Sequence, residues 1–245
     1  MKKIFAILAI IFLISICCTA QTEEEIIAGK LLTKLKTELL DISQKQLKIN
    51  DIAINDDGHW LILYEDVGYS FSYVDLELEK QLLDKNSKGV KLKQALLKGN
   101  SWVLLFSDND FAQSGFDNTV VSVLNNCKSK NKNLNGIFLG DNGEILCLYA
   151  TNGYVAKKCP KKMIDKLVLI NSKQQKLRNA AFSSEGWILL YSDKSFCFYG
   201  IPSSLETFLK QCVKNNNKVN LVRIFHDKWF VVYNDYKIQT NVENE

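Results

Sequence analysis

Trp187-Ile188-Leu189-Leu190-Tyr191 is one of five near copies of a single short pattern. The others are Trp60-Leu61-Ile62-Leu63-Tyr64, Trp102-Val103-Leu104-Leu105-Phe106, Ile145-Leu146-Cys147-Leu148-Tyr149 and Trp229-Phe230-Val231-Val232-Tyr233. Their first residues stand 42, 43, 42 and 42 positions apart. Two residues past each closing aromatic comes Asp66, Asp108, Thr151, Asp193 or Asp235. A second aromatic follows in the first four copies, at Tyr69, Phe111, Tyr154 and Phe196. A fixed period of about 42 residues, carried by several columns at once, marks tandem supersecondary units. No such unit buries its apolar surface alone, so neighbours must stack.

Ahead of each anchor lies a short apolar segment, such as Ile52-Ala53-Ile54 or Leu221-Val222-Arg223-Ile224. A turn then carries Asp57-Gly58, Asn142-Gly143 or Glu185-Gly186, pairs that signal hairpins between apolar runs. The anchor segment is apolar at successive positions, which places it mid-sheet with both faces covered. Tyr69-Ser70-Phe71-Ser72-Tyr73 alternates as a third strand. The period then becomes helical. Leu205, Phe208, Leu209, Cys212 and Val213 follow Pro202-Ser203-Ser204, a helix start. Met163, Ile164 and Leu167 repeat that spacing one unit earlier, and Val120, Val121, Val123 and Leu124 one unit before that. Each unit reads as three strands plus one helix, and the fold class as α+β with five tandem repeats.

The fifth set of strands reaches Glu245 with no helix after it, whereas Ile26, Ile27, Leu31, Leu32, Leu35, Leu39 and Leu40 form a helical apolar stripe before the first. An N-terminal helix beside the last strands would complete the fifth unit. An open solenoid needs polar end caps and a ring needs none. The expected architecture is a closed propeller-like toroid over residues 29–245, preceded by a short linker at 21–28. This cyclic order resembles the five-fold α/β-propeller of the pentein proteins. The repeat length and the Gly-Trp region resemble a blade of an all-β propeller, with a helix in place of its outer strand. The pentein resemblance implies a central site built from a cysteine, a histidine and acidic groups, and no such set stands out here.

The N-terminus has the three parts of a secretory signal. Met1-Lys2-Lys3 is basic, Ile4 to Ile16 is apolar apart from Ser15, and Cys18-Thr19-Ala20 supplies small residues before Gln21. The expected signal peptide is 1–20, cleaved after Ala20, which makes the protein secreted or periplasmic with no stable membrane span. Retention as an N-terminal anchor and lipidation at Cys17 or Cys18 are the other readings. Removing Lys2 and Lys3 leaves 29 basic against 27 acidic residues, too even a balance for a nucleic-acid partner. Cys127, Cys147, Cys159, Cys197 and Cys212 remain, an odd number without a C-x-x-C spacing. At least one thiol is therefore outside any intramolecular disulfide.

Candidate chemistry is sparse. His59 and His226 are the two histidines, each beside a first turn, in units one and five. No metal or cofactor motif and no catalytic signature accompanies them. Cys127 and Cys212 each lie 25 residues after a tryptophan, and such equivalence between copies argues for packing. The candidate ligand-binding residues are the recurring aspartates Asp66, Asp108, Asp193 and Asp235, an acidic turn beside an aromatic that suits sugar hydroxyls. Their alternative role is to begin a turn by bonding their own backbone. The tryptophans divide likewise between stacking platforms and a repeated core slot, and Ile145 in one copy favours the core. The expected function is that of an exported non-catalytic module for a protein or glycan partner, without a cofactor. The alternative is a hydrolase or group transferase with one central site.

Overall fold

The computed structural model describes residues 23–129 and 132–243. The signal read over 1–20, including Cys17, Cys18 and the cleavage position, lies outside the described residues. The first described element is helix α1 (Glu23–Gln44). Unit one continues with β1 (Ile49–Ile54), β2 (Trp60–Tyr64) and β3 (Gly68–Phe71), then α2 (Leu76–Ser87). Unit two is β4 (Leu92–Lys98), β5 (Ser101–Phe106), β6 (Phe111–Ser114) and α3 (Asn118–Ser129). Unit three is β7 (Leu134–Leu139), β8 (Ile145–Tyr149), β9 (Gly153–Lys157) and α4 (Lys161–Ser172). Unit four is β10 (Leu177–Phe182), β11 (Trp187–Tyr191), β12 (Phe196–Tyr199) and α5 (Ser203–Lys214). Unit five is β13 (Val219–Phe225), β14 (Lys228–Tyr233) and β15 (Lys237–Thr240). Each unit's strands form one antiparallel three-stranded meander with the anchor strand in the middle. The fold is thus α+β and repetitive.

One expected boundary moves. Residues 23–28, read as part of a linker, belong to α1. Nothing from Glu23 to Ala28 breaks a helix, and Gly29 alone costs only about 1 kcal/mol within one.

Five apolar clusters explain why the anchor strands are apolar on both faces. Leu61 and Leu63 of β2 join Leu78 and Leu82 of α2 and Trp102 and Leu104 of β5. Val103 and Leu105, the other face of β5, join Leu124 of α3 and Ile145 of β8. The same exchange links β8 to β11 through Met163 and Leu167, and β11 to β14 through Leu205 and Leu209. The remaining cluster brings Leu32, Leu35, Leu39 and Ile42 of α1 together with Trp60 and Ile62 of β2 and Phe230 and Val232 of β14. Each of the five described helices therefore fills the gap between two sheets, and α1 lies between the fifth and the first. Lys36 of α1 donates to the Val242 carbonyl at 2.6 Å.

The tryptophans occupy the repeated core slot. All four are buried, and three indole N–H groups reach the neighbouring helix region. Trp60 donates to the Leu31 carbonyl at 3.0 Å, Trp102 to Asp75 Oδ2 at 2.7 Å and Trp229 to Ser204 Oγ at 2.9 Å. Asp75 also caps α2 by accepting from the Leu78 amide, so one carboxylate fixes helix and anchor together. Val213 departs from its expected stripe. It is 64% exposed, because Leu205, Leu209 and Cys212 define the inner face and the next residue turns outward.

Candidate functional site

The first strands pack side by side: β1 on β4, β4 on β7, β7 on β10, β10 on β13, and β13 on β1. Each carries a β-bulge at one equivalent place. Ile49 pairs with Tyr64 and Asp51 with Leu63, which leaves Asn50 unpaired. The same shift skips Lys93, Asn135, Arg178 and Asn220. A bulge bends its strand and re-aims the unpaired residue. Here all five bulged residues line one cavity of about 290 Å³ at the end where the first strands begin, the lower end. All five carry N–H donors and none is acidic. Lys48, Lys218 and Asp235 flank them.

The next residue in each unit forms the buried floor. Asp51 Oδ2 accepts from the Ala95 amide at 2.9 Å. Gln94 spans to Ile137, accepting from its N–H at 2.6 Å and donating to its carbonyl at 2.9 Å. Asn179 faces the Val222 amide at 3.4 Å. Gly136 has no side chain to offer. A Cβ there would lie 2.9 Å from the Phe138 ring, which fills the space. Unit five supplies Leu221 at this position, and Arg223 acts instead. Its Nε donates to the Ile52 carbonyl at 2.6 Å, its Nη1 to Asn179 Oδ1 at 3.2 Å, and its Nη2 to Asp51 Oδ1. Burial pushes the Asp51 carboxyl up, while Arg223 and the Ala95 amide pull it down. The net direction is upward.

Charge at the lower mouth is unevenly met. Lys218 pairs with Asp235 at 3.2 Å. Lys48, Lys93 and Arg178 form no ion pair among the described residues. Lys93 donates to the Asn133 side chain at 2.7 Å and the Leu134 carbonyl at 2.8 Å. Arg178 Nη2 donates to the Val219 carbonyl at 2.5 Å, while its buried Nε has no partner. Burial holds both cations below their ordinary range.

A second cavity, of about 130 Å³, opens at the hairpin end. Gln94 and Phe138 line both cavities, so the floor separates them. Its walls include Ala53, Ala95, Ile137, Leu139 and Phe182, with His226, Asp56 and Asp141 around them. His59 lies elsewhere, in a groove with Tyr73 and Trp102, its ring 5.2 Å from that of Tyr73. Ser72 Oγ is 3.5 Å from His59 Nδ1, but it already accepts from the Trp60 amide, and among the described residues no carboxylate bonds that imidazole. No described cysteine lines either cavity. Burial pushes the Cys159 and Cys212 thiols up to about 11, and hydrogen bonding with Cys127, then burial, raises Cys147. A thiol so raised is a poor nucleophile. Among the described residues no group of three or more metal-ligating side chains is placed to hold an ion, and no helix is long and apolar enough to cross a membrane.

The recurring aspartates do not converge. Asp66 pairs with Lys91. Asp108 accepts from the Asp110 amide at 3.1 Å and lies 3.5 Å from Lys85. Asp193 accepts from the Ser195 amide at 3.0 Å and from Gln175 at 2.7 Å. Asp235 accepts from Asn220 at 2.6 Å and is the only one of the four that lines the lower cavity. Asp66 lies below the ordinary carboxylate range because Lys91 donates to it, and Asp193 because the Ser195 hydroxyl and then its amide donate to it. At Asp235 burial opposes the shift, and Lys218 and Asn220 outweigh it. The bulge column was the less visible signal. Asn50, Lys93, Asn135, Arg178 and Asn220 each follow one aliphatic residue, just outside the apolar runs that define the repeat.

These features define a five-unit α+β repeat protein with a polar cavity at the meeting of its first strands. No protein-family model matches the chain, and no curated protein matches its sequence. Among solved structures it is similar to a catalytically inactive virginiamycin B lyase from Staphylococcus aureus with quinupristin. The identity is 10%, the coverage 81% of this chain and 72% of that one, and the TM-score 0.26. A selenomethionine-substituted virginiamycin B lyase from Staphylococcus aureus gives 8% identity, covering 78% of this chain and 54% of that one, with a TM-score of 0.22. Superpositions this loose transfer neither fold nor activity.

Proposed function

We propose that the chain is an exported, non-catalytic binding module. Its five units close into a ring, and the lower mouth of that ring receives a glycan or protein partner. The carrying observation is the bulge repeated in all five units, which brings a donor-bearing polar residue from each to the lining of one cavity. Ring closure is supported by the contact of β13 with β1, by α1 between the fifth and first sheets, and by Arg223 against Asp51. Export is supported by the signal pattern of residues 1–20. The recurring aspartates outside that cavity, Asp66, Asp108 and Asp193, are a secondary set of partner contacts in this reading.

The test is retention. Intact protein on a support is exposed to soluble glycans, cell-wall fragments and extracellular extract, beside a variant with Lys93 and Arg178 both changed to Met. A glycan or protein held by the first and released by the second is the expected outcome. Equal retention by both would place binding away from the lower mouth, and no retention across all classes would refute the module.

A further inference from the structure

Resting on that reading, we infer that the lower mouth is an oxyanion site, which accepts a carboxylate or phosphate group carried by the ligand. The donor inventory is one-sided. Cations from units two and four, Lys93 and Arg178, alternate with amides from units one, three and five. Among the lining residues the carboxylates are Asp235, already paired with Lys218, and Asp51, buried against Arg223, while Asp108 acts on Lys93 from outside the lining.

Two features go beyond surface charge. Arg178 keeps a buried Nε without a partner. A buried donor left unsatisfied is costly, and a small turn of the guanidinium towards an acceptor in the cavity would remove that cost. Lys93 is partly desolvated and both of its hydrogen-bond acceptors are neutral, with the Asp108 carboxylate acting on it only from beyond ion-pair distance, and a partly buried cation without a direct ion pair gains from an incoming anion. The planar guanidinium suits the two oxygens of a carboxylate or phosphate. The intervening amides suit hydroxyls or further anionic oxygens, and a cavity of about 290 Å³ admits a group of monosaccharide size.

The test is titration of the intact protein at low ionic strength with inorganic phosphate, galacturonate and glucose, read by calorimetry and by the unfolding midpoint. Phosphate or galacturonate should bind and raise the midpoint, and glucose should not. Galacturonate alone would identify a carboxylate source, and phosphate alone a phosphorylated one. Binding should weaken as salt rises from about 20 to about 200 mM. Arg178→Met should weaken it about ten- to a hundredfold.

Because Arg178 and Lys93 also bond the next unit, two other variants guard against misfolding. Lys48→Glu, at an exposed side chain, should weaken binding, and Asp235→Asn should tighten it, a gain that no folding defect imitates. An anion bound equally by all variants would overturn the inference by placing it elsewhere. If neither anion binds while a macromolecular partner is still retained at the mouth, the oxyanion inference falls and the module stands. If nothing binds, both fall.

Discussion

Units one, three and five differ from units two and four at the same bulge. In the odd units the bulged residue is asparagine and bonds backward to its own turn: Asn50 to the Glu65 carbonyl, Asn135 to that of Ala150, Asn220 to Asp235. Those turns place Glu65, Ala150 and Asn234 at φ near 49°. In the even units the residue is Lys93 or Arg178 and reaches forward to the Leu134 or Val219 carbonyl of the following unit. Their turns instead place Asn109 and Lys194 at positive φ and are closed by Asp108 and Asp193. A short side chain stays at home and a long one crosses. With five units the alternation begins and ends on like types, and units five and one, in contact through β13 and β1, are both asparagine units. Arg223 stands at that seam.

The largest effect belongs there. Arg223→Met leaves Asp51 buried without its counter-charge and should cost about 3–5 kcal/mol in urea unfolding. A loss near zero would mean that the seam does not depend on the ion pair. Gln94→Leu should come next. It orphans both main-chain groups of Ile137, at roughly 1–3 kcal/mol for each group that stays dry.

The odd–even contrast itself is a smaller matter. Arg178→Met and Asn135→Ala each remove one hydrogen-bonding side chain, and each should cost about 0.5–1.5 kcal/mol. Amide exchange should separate them. The arginine variant should loosen the start of β13 in the next unit, and the asparagine variant the turn at residues 150–153 of its own. The same pattern of loosening in both would erase the distinction.

Acid sensitivity should be smallest. Asp66 and Asp193 lie below the ordinary carboxylate value of 3.8 when folded. Their stabilisation is complete above that value and is lost as pH falls through the lower folded one. Asp193→Asn should therefore flatten the acid limb of a stability profile below about pH 4. Asp51 has the opposite sign. Its folded value is raised, so its contribution is present at low pH and declines as pH rises through that value.

The repeat, its three strands and its helix were legible because apolar periodicity reports burial directly, and the anchor strands are buried on both faces. The site was less legible for the same reason. Asn50, Lys93, Asn135, Arg178 and Asn220 share no side-chain type, only a donor and a place in the backbone. A bulge is a property of register, and register is set between two strands rather than along one. The aspartates stood out because they are identical, yet identity at a turn reflects local backbone bonding, as at Asp108 and Asp193. Arg223 is invisible to repeat reading altogether, since it occurs in one copy at the seam between units 171 or more positions apart in sequence.

The measurement that bears most directly on ring closure, and with it on the mouth, is a double-mutant cycle on Arg223 and Asp51. Arg223→Met, Asp51→Leu and the double variant are compared with the parent by equilibrium unfolding. If the first and fifth units meet in solution, the two substitutions should couple by about 1–3 kcal/mol, with the double variant more stable than the sum of the single losses. Additivity within about 0.5 kcal/mol would contradict it, because residues that do not touch do not couple.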